Sequence, residues 1–322
     1  MNEILKKEIA KFLQKTPLQQ NKKIITSKII IKQKMLYVIL ENVEKFFHQR
    51  IQSELSIFLK PNISNLELRI LFSNSRQTQE KIRLAKKTIL ITSCKGGVGK
   101  STISSLIAQK LAHIYPNKKT ALLDADIYGP SIQQIFGINQ KPEIIDNMMK
   151  PIVKYGVFIN TIGAIIGDDQ ALTIRAPIAN KTLFKIFSLT DWANPDYMII
   201  DTPPGTGDIH LSILQNYCID QIMLITTAQK LSAIDATRSI KLFQKFNLPI
   251  TTIIENMSYL ELEHEKIHIF QGNAAKLLKE KYNIANWKQI PMIPSLSNFC
   301  DSGKKLDKFF SLINLTNIDI ES

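Results

Sequence analysis

Residues 94–102 read Cys-Lys-Gly-Gly-Val-Gly-Lys-Ser-Thr and follow the apolar run Thr88-Ile89-Leu90-Ile91-Thr92-Ser93. The glycines let successive backbone N–H groups turn toward one point. A helical pattern after them (Leu106, Ile107, Lys110, Leu111) adds the positive end of a helix dipole. A strand, a glycine loop and a helix in that order form a cradle for phosphate. Cys94, Lys95, Gly96, Gly97, Val98, Gly99, Lys100, Ser101 and Thr102 are therefore read as nucleotide-binding. Lys100 can reach β/γ-phosphates, and the Ser101 hydroxyl can ligate Mg²⁺. Cys94 stands where the strict pattern asks for glycine, and Lys95 adds a second lysine before the glycine pair.

Two further segments carry carboxylates. In Leu122-Leu123-Asp124-Ala125-Asp126-Ile127-Tyr128-Gly129-Pro130-Ser131, the aspartates stand at i and i+2 where an extended run meets a turn. One can hold the water shell of Mg²⁺ and the other can orient an attacking water, or the pair can cap the next helix. Met198-Ile199-Ile200-Asp201 is an apolar run closing on an aspartate, the Walker B form, followed by Thr202-Pro203-Pro204-Gly205-Thr206-Gly207-Asp208. Gly205 and Gly207 permit backbone N–H approach to a γ-phosphate. Asp208 reads equally as the N-cap of a helix containing Ile209, Leu211 and Leu214.

These groups need a frame. From residue 88 onward, apolar runs at 88–92, 120–124, 157–162, 197–201, 221–226, 250–254 and 289–293 alternate with helical patterns. Strands apolar almost throughout are those of a buried parallel sheet, so the fold class is α/β with a doubly wound, mostly parallel sheet. In such sheets ligands bind at the carboxyl ends of the strands, where these motifs fall. Residues 1–72 read as a separate small α/β domain. Ile4, Leu5, Ile9, Phe12 and Leu13 mark a helix; strands at 28–32 and 35–40 flank Gln33-Lys34. Phe46, Phe47, Ile51, Leu55, Phe58 and Leu59 form a helical stripe ended by Pro61, and residues 66–72 alternate as a last strand. Residues 73–87 then serve as linker, polar over 73–81, and 88–322 form the nucleotide-binding domain. There is no internal repeat.

Apolar content of 44% and charged content of 21% over 322 residues are those of a globular chain. No apolar run approaches the ~20 residues that span a bilayer, and Met1–Glu8 is charged and amphipathic, so the expected location is cytoplasmic. Three cysteines (Cys94, Cys218, Cys300) make a disulfide framework improbable. The net charge is +13, but the lysines are scattered and aromatics do not interleave with them, which argues against a nucleic-acid partner. Leu306, Phe309, Phe310 and Ile313 have amphipathic spacing beside Lys304, Lys305 and Lys308. Such a stripe either touches a membrane or packs on its own core, the commoner case.

Together KGGVGKST, LLDADIYGPS, IIDTPPGTGDIHLS and IIENMSY (253–259) resemble the Mrp/ApbC-type P-loop ATPases, iron–sulfur cluster carriers of the MinD/ParA/Mrp group, over residues 88–303. The resemblance implies a deviant P-loop NTPase, Mg-dependent ATP hydrolysis, a homodimer, and apo iron–sulfur proteins as clients. It implies that Lys95 is the signature lysine, crossing to the partner's phosphates, and that Lys95, Lys100 and Asp126 are catalytic, with Asp126 orienting water. Ser101, Asp124 and Asp201 then surround Mg²⁺, and Asn256 contacts the purine, although an Asx-turn explains that asparagine as well. Arg175-Ala176-Pro177 stands where the family commonly has Arg-Gly-Pro. The N-terminal unit resembles the small domain that precedes the ATPase in bacterial Mrp proteins.

One family motif is missing. Cluster carriers of this type place a Cys-x-x-Cys shortly after Glu-Asn-Met-Ser; here residues 258–270 contain no cysteine, although Ile269-Phe270-Gln271-Gly272 resumes the family pattern. His264 and His268, with Glu261 and Glu265, have the spacing of a metal seat on a helix, but the period-two alternation reads instead as a hairpin. Cys218 is expected to be a small buried thiol. Cys300 is expected to be exposed in a loop, and is then the first candidate ligand for any cluster. Cys94 is expected to have its pKa lowered by the helix dipole. The cluster ligands stay unassigned. The leading expectation is a dimeric, ATP-hydrolysing carrier or scaffold that assembles iron–sulfur clusters or transfers them to apoproteins. The alternatives are an ATP-dependent assembly factor without its own cluster, and a ParA/MinD-type positioning ATPase.

Overall fold

The computed structural model describes residues 8–9, 12, 25–32, 35–41, 48–63, 67–73, 81–127, 129–166, 176–262, 265–270 and 272–315. Two compact units divide between Gln79 and Glu80. In the first, β1 (Ile25–Lys32) pairs antiparallel with β2 (Met35–Glu41). Helix α1 (His48–Leu59) then returns the chain to β3 (Glu67–Ser73), which is parallel to β2. Alternation turns Leu36, Val38 and Leu40 to one face of this sheet. Ile51, Leu55 and Leu59 of α1, at helical spacing, complete its core together with Ile9. The Gln33-Lys34 turn, the residues 74–80 of the polar stretch, and Ile4, Leu5, Leu13, Phe46, Phe47, Leu66, Tyr128, Arg175 and His264 lie outside the described residues.

The second unit begins with β4 (Lys87–Ser93), α2 (Lys100–Ile114), β5 (Thr120–Asp124) and the short α3 (Ile132–Phe136). A small hairpin, β6 (Ile144–Ile145) and β7 (Met148–Met149), precedes β8 (Ile152–Lys154) and β9 (Val157–Thr161). Helices α4 (Ile162–Ile166) and α5 (Ala176–Leu189) lead to β10 (Tyr197–Asp201), α6 (Asp208–Asn216), β11 (Gln221–Thr226) and α7 (Lys230–Lys245). After β12 (Thr252–Glu255) come a second hairpin, β13 (Leu260–Leu262) and β14 (Glu265–Ile267), then α8 (Ala274–Tyr282), β15 (Asn286–Gln289) and α9 (Pro294–Asp301).

The main sheet runs β15-β12-β11-β4-β10-β5-β9-β8, parallel throughout except for the antiparallel edge strand β8. Helices cover both faces. Ile89 and Ile91 of β4 face α2, α3 and α9, while Leu90 faces the core shared with α5, α6, α7 and α8. That double burial is why the central strands carry apolar residues at nearly every position.

Two boundaries differ from the sequence reading, and one open alternative is decided. Ile82 pairs with Tyr217 and Cys218 N donates to Ile82 O, so residues 82–87, placed in the linker, are bonded into the second unit. The last strand is Asn286–Gln289, not 289–293, because Pro291 has no N–H to extend the ladder. The C-terminal stripe packs inward: Leu306, Phe309 and Ile313 are buried. Gln109 accepts from Leu306 N, and the Lys110 ammonium donates to the carbonyls of Phe310 and Ile313. Among the described residues no helix is long and apolar enough to cross a membrane.

Candidate nucleotide site

The glycine loop leaves the carboxyl end of β4, a central strand, and turns into α2 at Lys100. Gly97 and Gly99 sit at φ +76° and +83°, a region costly for any residue with a Cβ. The loop forms one wall of a cavity of about 880 Å³ that also reaches Asp126, Asn256 and the chain from Pro291 to Asp301. Behind the loop, three side chains of α2's first turns converge on Asp201. Lys100 Nζ and Ser101 Oγ donate to its Oδ2 at 2.8 and 2.6 Å, and Ser104 Oγ donates to its Oδ1 at 2.7 Å. Ser104 escaped the sequence reading; its signal was its place one turn after Ser101 on the same helix face.

Parallel register sets Asp201 beside Asp124, since β10 pairs with β5 at that level. Both carboxylates are fully buried. Asp124 accepts from the backbone N–H groups of Asp126 and Ile132 and from the Thr161 hydroxyl at the end of β9. Burial, with Asp201 adding like charge, pushes its carboxyl well above the usual range. Asp126 lines the cavity, with its Oδ2 3.7 Å from Lys100 Nζ, whereas Asp124 and Asp201 lie behind that lining. Asp124 therefore reaches the cavity only through the Asp126 backbone that it holds. The Ser101 hydroxyl and the carboxylates of Asp126 and Asp201 form a set of hard oxygen donors, which fits Mg²⁺ shared with phosphate and water. Among the described residues, no group of three or more His, Cys, Asp or Glu side chains is arranged to hold a metal by itself.

The loop after β10 is tied to the glycine loop's strand. Gly205 N, at φ +95°, donates to Ser93 O at 2.8 Å, so in this state that N–H is occupied. The N-cap of α6 is Gly207, and Asp208 is the first residue of the helix, where its charge favours the dipole. Thr202 donates its hydroxyl proton to Ile91 O. His210 Nε2, 3.0 Å from Thr202 Oγ1 and 3.2 Å from Thr92 Oγ1, must therefore carry the proton it shares with Thr202. The buried imidazole thus bridges the ends of β4 and β10.

Burial lowers the His210 pKa to about 4 from 6.5, with Lys100 adding to the effect. The folded state excludes a proton that the unfolded chain binds, so this contribution is complete above pH 6.5 and is lost as pH falls toward 4. The stability advantage of wild type over His210→Asn should shrink by roughly 3 kcal/mol between pH 7 and 4. Urea titrations of both proteins across that range measure it; a constant difference would show that the imidazole is not held neutral.

Asn256 sits at the turn after β12, and its Nδ2 donates to Val98 O at 2.9 Å, so it braces the loop from behind. Its turn is held by Glu255, buried, which accepts from Ser258 Oγ, Gln289 Nε2 and Ala275 N. Gly137 ends α3 and Gly303 follows α9. A Cβ on Gly303 would stand 2.5 Å from Gly137 Cα, so the ends of these two helices meet where only glycines fit. Cys300 is not exposed: it is buried in α9, its Sγ 4.0 Å from Thr102 Oγ1, and burial raises its thiol pKa. Cys94 is also raised rather than lowered, because burial outweighs the hydrogen bond with Ser239 and Asp235 adds to the rise; its Sγ lies 3.1 Å from Ser239 Oγ. Cys218 is half-buried and donates to Lys81 O. The family's cysteine position is occupied by the β13–β14 hairpin, as the alternation suggested. Lys95 points its ammonium at α7, 3.4 Å from Asp235 Oδ2.

A glycine loop at the centre of a doubly wound sheet, two lysines within it and a strand-end aspartate bonded to its Ser define a P-loop nucleoside triphosphatase of the MinD/ParA type. The family model described as ParA, NUBPL iron-transfer P-loop NTPase, matches residues 84–313. The chain belongs to that family. Among named relatives, the iron-sulfur cluster carrier protein of Rickettsia felis (strain ATCC VR-1525 / URRWXCal2) is 45% identical over 253 residues, 76% of each chain. That of Escherichia coli (strain K12) is 39% identical over 231 residues, covering 70% of this chain and 62% of the other. Among solved structures, a nucleotide-binding protein from Archaeoglobus fulgidus in complex with ADP superposes with a TM-score of 0.61 at 29% identity, covering 69% of this chain and 88% of that one. MinD from Pyrococcus horikoshii OT3, complexed with Mg-ADP, shares the fold at a TM-score of 0.53 and 17% identity, covering 74% and 93%.

Proposed function

We propose that this protein is an Mg-dependent, homodimeric ATPase that assembles iron–sulfur clusters or passes them to apoproteins. The observation that carries the ATPase part is the convergence of Lys100, Ser101 and Ser104 on Asp201 beneath the glycine loop. With ATP in the cavity, Lys100 turns from Asp201 to the β/γ-phosphates, and Ser101 and Asp201 would hold Mg²⁺. Mg²⁺ there would offset the charge of the phosphates. Asp126, positioned by Asp124, accepts a hydrogen bond from the attacking water, and Lys95 of the second copy reaches the phosphates. Gly205 is released from Ser93 as its loop closes. Asn256 holds Val98 and borders the purine.

Kinship with named cluster carriers supports iron–sulfur clusters as the cargo. The cysteine-free β13–β14 hairpin favours a second reading, an ATP-driven assembly factor that does not itself hold the cluster. Anaerobic reconstitution with iron and sulfide, with and without ATP and Mg²⁺, separates the two. About one cluster per dimer, transferable to an apoprotein, identifies a carrier. No bound cluster together with ATP-dependent acceleration of client maturation identifies the assembly factor, and neither result would remove iron–sulfur chemistry from the proposal. ATP turnover should vanish with EDTA; turnover that persists would remove Mg²⁺.

A further inference from the structure

The loop joining β10 to α6 is buried at its two ends and open in the middle. Asp201, Thr202 and Pro203 are buried before it and Ile209 and His210 after it, while Pro204 and Gly207 are exposed. Gly205, half-buried between them, has its N–H on Ser93 O. The two buried ends are joined to each other. His210, in the first turn of α6, places Nε2 3.0 Å from Thr202 Oγ1, and Thr202 in turn donates to Ile91 O of β4. The same nitrogen lies 3.2 Å from Oγ1 of Thr92, which immediately precedes Ser93. Phe243 of α7 meets the imidazole edge-on, with ring centroids 6.4 Å apart. An apolar side chain could fill this space without the cost of desolvating an imidazole and two hydroxyls. What the polar cluster adds is direction.

We infer that His210 is a positioning residue: by tying Thr202 and Thr92 to the first turn of α6, it confines nucleotide-driven movement to residues 204–208 and so aims the Gly205 N–H, once it leaves Ser93, at the γ-phosphate. The inference rests on the proposed reading that this loop closes on ATP. A donor on a segment with fixed ends travels a short, repeatable path. With one end loose, the same N–H samples many positions and few of them meet the phosphate. The advantage concerns the γ-phosphate alone, so it separates ATP from ADP.

The test is calorimetric titration of the full chain with Mg²⁺ and either ADP or the β,γ-imido analogue of ATP, below the melting temperature of every variant. His210→Ala should weaken binding of the analogue about five- to tenfold and leave ADP within about twofold, because one hydrogen bond to a charged group is lost. His210→Gln should restore most of the preference, since its amide offers an N–H to each hydroxyl. Thr202→Val combined with His210→Ala should cost little more than either alone, as members of one network do. Equal weakening of both ligands, or a His210→Gln as poor as His210→Ala, would reduce the imidazole to a structural role and overturn the inference. Should His210→Ala fail to fold, Thr92→Val decides: a selective loss of the analogue supports the inference, and an unchanged preference overturns it. Gly205→Ala, strained at φ +95°, disturbs the loop directly. If it keeps the wild-type preference, loop closure on ATP itself fails; if it loses the preference while His210→Ala keeps it, only the role of His210 is overturned.

Discussion

Lys100→Ala is expected to weaken nucleotide binding ~100-fold or more, whereas Lys95→Ala leaves binding within about threefold and lowers turnover ~10³-fold. Hydrogen bonds to charged groups are worth roughly 1.5–3 kcal/mol each, and Lys100 can offer more than one to the β/γ-phosphates. It is also a cation among the carboxylates of Asp124, Asp126 and Asp201, so its loss leaves buried negative charge facing an incoming triphosphate. Lys95 pairs with Asp235 of α7 in the resting state, and on the proposed reading it contributes to the transition state rather than to the ground state, as a trans-acting arginine does in related phosphoryl transfer. Equilibrium binding of a fluorescent ATP analogue and single-turnover hydrolysis separate the two effects. Because removing one partner of a buried pair costs roughly 3–5 kcal/mol of stability, Lys100→Ala must be measured below its lowered melting temperature. Equal loss of affinity in both variants would show that Lys95 is an ordinary ligand of its own nucleotide.

The strands and the glycine loop were legible because both are written locally. Burial on two faces leaves Ile89, Leu90 and Ile91 no polar alternative, and the loop's backbone needs its glycines in sequence. What escaped the sequence depends on contacts between distant segments. Cys94 continues the β4 alternation into the core against Ser239, a contact local spacing does not reveal, so its burial outweighed the helix dipole. Cys300 lies in α9 rather than a loop, and Pro294 at the helix start is the local signal for that. Asp124 and Asp126 looked equivalent at i and i+2. Only Thr161 of β9 and the first turn of α3 turn Asp124 inward and leave Asp126 on the cavity. The ion pair of Lys95 with Asp235 had no local signature at all.

Gly99→Ala should reduce nucleotide affinity at least tenfold while leaving the fold intact. At φ +83° an alanine bears a strain of about 1–2 kcal/mol. Its Cβ would also lie 2.3 Å from Asn256 Nδ2, inside any permissible contact. One of two things must yield. If the loop moves, its N–H groups no longer point at one centre; if Asn256 moves, Val98 O loses its donor and the loop loses its brace. Either way the phosphate cradle deteriorates, and the damage stays local, because the position is a loop residue rather than part of either core. The double variant Gly99→Ala/Asn256→Ala apportions the loss: it relieves the clash but keeps the backbone strain. Calorimetric titration with ATP and Mg²⁺ should find the double variant no weaker than Gly99→Ala alone, although Asn256→Ala by itself weakens binding. Additive losses would mean that Asn256 acts on the nucleotide directly and independently of the loop it touches.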